Sequence, residues 1–194
     1  MIHVWDPKTM KRLASWKGVL QNGVACLAFS PDGSKLSGAG ADQYHSVCVL
    51  DVKGKIRKGG KGTKGFVLGK SKGCPDPILD MAWQNNEEFA TCGVKNYSLW
   101  KYTKKAKFKK PRNKIKRGID NMLLCITYDH YRKRFLVGTK AGCLQVWNGE
   151  ANNKEIDSLH KVESKKKKKK SSKKKDAKYL GGKPVDAVYY SENL

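Results

Sequence analysis

The sequence predicts an all-β fold built from one repeated antiparallel unit. Three observations carry this: short apolar strands recur in a fixed order, tight turns separate them, and strand endings return at a nearly constant period. The clearest copy runs from Val24 to Asp51, VACLAFSPDGSKLSGAGADQYHSVCVLD. Val24 to Phe29 is a first strand ending in Ser-Pro-Asp-Gly, where Pro31 presets the turn and Gly33 can take the left-handed backbone that closes a hairpin. Lys35 to Ala39 gives a second strand, Gly38 to Asp42 a second turn, and His45 to Leu50 a third strand. Three such strands cannot bury both faces alone, so the unit requires copies on either side.

The copies are present. First strands recur as VACLAF (Val24 to Phe29), ILDMAW (Ile78 to Trp83), LLCITY (Leu123 to Tyr128) and VDAVYY (Val185 to Tyr190), each ending in an aromatic. Second strands follow as KLSGA, EFATCG and RFLVGT, and third strands as IHVWD, SVCVLD, YSLWK and CLQVWN. The third-strand endings Trp5, Leu50, Trp100 and Trp147 fall 45, 50 and 47 residues apart. That period, with four strands per unit and a closing Val-Trp-Asp, predicts a WD40-type β-propeller. The count gives about three and a half blades of an incomplete ring, at approximately 11–51, 52–100 and 101–147, with the start of another at 178–194. The chain is expected to be an arc whose remaining propeller blades lie outside this sequence, with sheet edges that a closed ring would remove.

In chain order, residues 2–5 close a preceding blade, Asp6-Pro7-Lys8-Thr9 is a turn, and Arg12 to Trp16 is expected as the outer strand of the blade that follows. Many repeats of this type carry a Gly-His pair whose His bonds the Asp of the next tight turn; here Gly18 precedes Val19. Asp42 holds the place of that Asp, Asn96 and Gly142 stand near the later equivalents, and a buried polar network of the usual kind is not expected. Gly65 to Gly69 is read as the outer strand of the second blade. Pro111 argues against a long helix or a central strand in 101–117. Residues 148–178 are expected to be a disordered, lysine-rich insertion.

Charge is concentrated. The chain carries 41 Lys and Arg against 17 Asp and Glu, a net +24. Residues 53–72, 101–117 and 161–178 hold 29 of those basic residues and only 2 of the acidic ones, leaving the scaffold slightly acidic. All three segments lie after a third strand and before the next first strand, so they are expected to line one part of the rim and one face.

The six cysteines show no C-x-x-C pairing and no His at zinc spacing, which predicts buried reduced thiols and no metal site. No apolar stretch reaches membrane-spanning length and no secretory pattern opens the chain, so an intracellular protein is expected. No phosphate loop or clustered carboxylates appear, so no catalysis and no cofactor are expected. Asp80, inside a first strand, is expected to face a neighbouring turn or the central channel.

IHVWD with VACLAFS, ILDMAW with EFATCGVKNYSLW, and LLCITY with GCLQVW resemble the echinoderm microtubule-associated protein-like (EML) family over most of residues 2–147 and again at 184–190. The resemblance implies a divergent propeller and a microtubule partner. The family's tandem second propeller and its hydrophobic motif are absent here, and the basic insertions match no family motif.

Two function classes follow. One is a non-enzymatic microtubule-associated scaffold of the cytoplasmic cytoskeleton, with the axoneme of a cilium or flagellum as a setting, alongside other microtubule-associated proteins and without a membrane. Its lysines would contact acidic tubulin through mobile, hydrated charge. The residues assigned to this contact are Lys165, Lys166, Lys167, Lys168, Lys169, Lys170, Lys173, Lys174 and Lys175, then Lys104, Lys105, Lys107, Lys109 and Lys110. Phosphorylation of Ser171 and Ser172 would weaken it. The alternative is a basic WD40 scaffold binding RNA or a ribonucleoprotein, as in ribosome assembly, with contact mainly to phosphate because aromatics are sparse among the lysines.

Overall fold

The computed structural model describes residues 1–53, 66–102 and 122–148, together with the backbone of strands at 108–109 and 151–156. These residues form fourteen strands and no helix. A half-sheet pairs β1 (Ile2–Trp5) with β2 (Arg12–Trp16). The first full sheet orders β3 (Val24–Phe29), β4 (Lys35–Gly40), β5 (Val47–Asp51) and β6 (Phe66–Ser71) side by side. The second contains β7 (Ile78–Trp83), β8 (Glu88–Gly93), β9 (Asn96–Tyr102) and β10 (Phe108–Lys109), and the third β11 (Leu123–Asp129), β12 (Arg134–Thr139), β13 (Leu144–Asn148) and β14 (Ala151–Ile156). Every pairing is antiparallel.

The sheets repeat in detail as well as in outline. Each first strand breaks register at the same place, between Val24 and Cys26, Ile78 and Asp80, and Leu123 and Cys125. This makes Cys26, Asp80 and Cys125 equivalent positions. In the Ser30 to Ser34 turn Gly33 has φ +65° and donates its N–H to the Ser30 carbonyl. The Asp32 carboxylate accepts from Ser30 Oγ at 2.7 Å and the Ser34 N–H at 3.0 Å, which holds its pKa well below the usual carboxylate range.

Three apolar clusters join the sheets in series. Ile2, Val4, Ala14 and Trp16 of the half-sheet pack on Leu36, Cys48 and Leu50. Ala39, Val47 and Val49 pack on Ile78, Met81, Trp83, Phe89 and Trp100, and Ala90, Cys92 and Tyr97 on Leu123, Ile126, Tyr128, Phe135, Val137 and Trp147. No disulfide joins the six cysteines; Cys48, Cys92, Cys125 and Cys143 are buried, whereas Cys26 and Cys74, expected to be buried as well, are half-buried.

Three expectations are corrected. Arg12–Trp16 is the outer strand of the sheet before it, because the Asp6 to Lys11 turn brings it back onto β1, with the Met10 N–H donating to the Asp6 carbonyl at 2.8 Å. Likewise the strand expected at 65–69 spans Phe66–Ser71 and pairs with β5, ahead of the second sheet. Finally, Ala151–Ile156 lies within the stretch expected to be disordered, yet its backbone pairs with β13 from Leu144↔Ile156 to Asn148↔Ala151. A polar strand can form there because the ladder is made by backbone groups and an outermost strand need bury little. Residues 157–194, including the fourth first-strand repeat, lie outside the described residues.

Candidate functional site

The basic segments attach to the scaffold at known points. One joins β5 to β6 across residues 52–65, and a second joins β9 to β10 across 103–107. Because neighbouring strands alternate in direction, both connections leave the arc at the end that carries the first-to-second turns, such as Ser30 to Ser34. The connection from β10 to β11, 110–122, and the chain after Ile156 leave from the opposite end. Anchor points therefore fall on both faces, which corrects the expectation of one face: the outer strand reverses the chain between consecutive basic stretches.

Of the lysines assigned to polyanion contact, Lys109 lies on β10, where it is the backbone partner of Lys101. Lys104, Lys105, Lys107, Lys110, Lys165 to Lys170 and Lys173 to Lys175 lie outside the described residues. At the margins of these segments, basic side chains are tied to the scaffold. Lys53 Nζ donates to the Asp32 carbonyl at 2.9 Å, Lys70 Nζ to the Val19 carbonyl at 2.7 Å, and Lys101 Nζ to Glu88 Oε1 at 3.0 Å. Lys72 Nζ sits 4.1 Å over the Tyr44 ring.

Where the sequence suggested no buried polar network, several polar contacts are present. Asp42 accepts from Ser46 Oγ at 3.0 Å and the Tyr44 N–H at 3.1 Å. Burial opposes ionisation of its carboxyl, and these bonds outweigh burial, so its pKa is lowered. Trp100 Nε1 donates to Thr91 Oγ1 at 3.0 Å. Between sheets, Trp83 Nε1 donates to Ser37 Oγ at 2.9 Å and the Ala28 carbonyl at 3.0 Å. The signal available in the sequence was the aromatic closing each first strand, opposite small or hydroxyl residues in the preceding second strand. Asn96, at the turn equivalent to that of Asp42, accepts from Ser98 Oγ, but its Nδ2 is buried with no hydrogen-bond partner among the described residues.

Asp80 faces the next sheet's innermost strand. Burial raises its pKa against two bonds, from the Ile126 N–H at 2.9 Å and the Met81 N–H at 2.8 Å. Nearby thiols are kept protonated: burial, reinforced by the Asp80 charge, pushes Cys26 up to about 12 and Cys92 well above its ordinary value. The Asp80–Ile126 bond and the packing of Cys92 against Leu123 and Ile126 join the second sheet to the third, and the protonated thiols are poor nucleophiles.

Serial four-stranded antiparallel sheets with a repeated register break, an aromatic at each inter-sheet contact and outer strands at the rim define a WD40-type β-propeller, here as a partial ring. No family model matches the sequence. The chain is similar to the solved structure of U3-55K, a WD40 propeller, with a TM-score of 0.54 and 15% identity over 74% of this chain. It spans 41% of that chain. The likeness supports the WD40-type fold and does not extend to the EML family.

Proposed function

We propose that this chain is part of a basic WD40 scaffold whose lysine segments hold a flexible polyanion, RNA within a ribonucleoprotein foremost. One observation carries the proposal: 29 of the 41 basic residues lie in three segments beside outer strands, while the remaining scaffold is slightly acidic. Their attachment to both faces suits a polymer that can wrap the rim, whereas a filament wall meets one face. Lysine in place of arginine favours phosphate contact over base readout. A scaffold of this kind requires no catalysis.

The second reading is a microtubule partner in the cytoplasm or the axoneme, and the strand order that resembles the EML family favours it. Acidic tubulin tails would be drawn by the same lysines. Competition separates the two. Binding of labelled single-stranded RNA and co-sedimentation with microtubules are measured together, before and after proteolytic removal of the tubulin tails. Under the RNA reading, RNA binds without sequence preference and strips the protein from microtubules. Pelleting that survives saturating RNA and depends on the tails would replace it with the tubulin reading.

A further inference from the structure

The turn from β11 to β12 combines what the lysine segments lack. Those segments are poor in aromatics, whereas residues 129–134, Asp-His-Tyr-Arg-Lys-Arg, set a tyrosine beside three basic residues. Tyr131 is 83% exposed, the most of any aromatic among the described residues, and His130, Arg132 and Lys133 are exposed with it. The backbone beneath is held in place. The buried Asp129 carboxylate accepts the Arg132 N–H at 2.9 Å and Arg134 Nε at 3.2 Å, which closes the turn and takes up the charge of Arg134. Lys133 adopts the left-handed backbone at φ +51°, and His130 packs edge-on to Tyr128 with ring centroids 4.9 Å apart.

The equivalent turns of the first and second sheets lie at the same end of the arc, tied by Asp32 N–H donating to Asn86 Oδ1 at 3.2 Å. Two basic stretches are rooted on them. Val52 N–H donates to the Ser34 carbonyl at 2.9 Å where residues 52–65 begin, and Tyr102 N–H to the Glu87 carbonyl at 2.7 Å ahead of 103–107. Ala90 of β8 and Tyr128 of β11 share one apolar cluster, which sets the third turn next in this row. The first two turns carry Asp32, Glu87 and Glu88 and no aromatic, so the third is the one suited to a nucleobase.

We infer that Tyr131 is a stacking platform for an unpaired base of single-stranded RNA, with Arg132 and Lys133 taking the phosphates beside it. The inference rests on the RNA reading above and adds a base contact to it. A tyrosine ring offers flat apolar area at a small cost in side-chain entropy, and a turn already held by Asp129 has little left to order on binding. Every base has a π-face, so stacking adds affinity without sequence choice. Lysine contacts alone weaken steeply with salt, whereas a stacked base keeps the polymer seated when phosphate attraction is screened.

Fluorophore-labelled oligouridine, which forms no base pairs of its own, is titrated with the full chain and followed by anisotropy, with inorganic polyphosphate as a base-free competitor. Tyr131→Ala is expected to weaken RNA binding about fivefold to a hundredfold, the scale of one stacked base, and Tyr131→Phe to stay within about twofold of the parent. Neither is expected to change the affinity for polyphosphate. The slope of log K against log salt is expected to stay at the parent value in Tyr131→Ala and to shrink by about 1.4 in the Arg132→Gln, Lys133→Gln double variant. An unchanged circular dichroism spectrum verifies folding, since all three side chains are exposed. Tyr131→Ala that binds RNA as the parent does, or that loses RNA and polyphosphate equally, overturns the inference and leaves the RNA reading standing. An unchanged salt slope in the double variant overturns the phosphate contacts. Loss confined to co-sedimentation with microtubules would give the turn to a protein partner and likewise overturn it, whereas a parent chain that binds no RNA overturns the RNA reading together with this one.

Discussion

Asp80 Oδ2 accepts the backbone N–H of Ile126 at 2.9 Å, so a side chain of one innermost strand joins the ladder of the next. Its other oxygen takes the Met81 N–H, and both acceptors are in use. Asp80→Ala leaves the Ile126 N–H without this acceptor and is expected to cost about 1–3 kcal/mol. Asp80→Asn keeps one acceptor and is expected to cost less. The carboxyl has a raised pKa in the folded state, so ionising it disfavours folding. That cost is absent below the unfolded value of about 3.9 and complete above the folded one, so stability falls as pH rises between them. Asp32 and Asp42, whose values are lowered, push stability the other way, so the readout is the difference between parent and Asp80→Asn. The parent's melting temperature relative to the variant's is expected to fall from pH 3 to 7, and a difference independent of pH would refute the assignment.

Much of the fold is legible because each first strand is apolar, ends in an aromatic and meets a turn of Gly, Pro, Asn or Asp. Partnership of the outer strands was not legible. Arg12–Trp16 lies between two sheets in sequence, and only the Asp6 to Lys11 turn decides which it joins. Ala151–Ile156 gave no signal because ANNKEI lacks alternating apolar residues. Asp80 stood out as a carboxylate in an apolar strand, but its partner is a backbone N–H, which has no sequence signature.

The Ser37–Trp83 contact couples two sheets. Ser37→Ala is expected to cost about 1 kcal/mol, since the indole keeps the Ala28 carbonyl, and Trp83→Ala about 3–5 kcal/mol. A double-mutant cycle by urea denaturation is expected to give a coupling of about 0.5–3 kcal/mol. Strict additivity would show that the bond contributes nothing to the contact.

Gly93 admits no side chain. An added Cβ would run into the Pro77 carbonyl oxygen and come 2.9 Å from Ile78 Cα, both backbone atoms at the start of β7. Gly93→Ala is expected to destabilise by about 3 kcal/mol through forced backbone shifts. Gly33→Ala has open space and only its positive φ against it, at about 1 kcal/mol. Reversal of that order in thermal melts would contradict the packing described here.

Replacing Lys165 to Lys170 and Lys173 to Lys175 with Gln is expected to weaken RNA binding without altering the melting temperature. If all nine meet phosphates, the slope of log K against log salt shrinks by about 6. An unchanged slope would remove this segment from the interface.

Cys48 and Cys92 are buried thiols whose pKa burial raises, Cys48 up to about 12. Iodoacetamide at neutral pH is expected to leave both unmodified in the native protein and to label them in urea. Rapid native labelling, read by peptide mass spectrometry, would contradict their placement.

Each apolar cluster joins one sheet to its immediate neighbour, so the arc behaves as a row of links whose stability is a sum of link and joint contributions. Such a row has no single keystone. A lesion in one joint divides it into two shorter arcs, each still internally bonded, and amide exchange would then report a break between sheets, not a collapse of the whole.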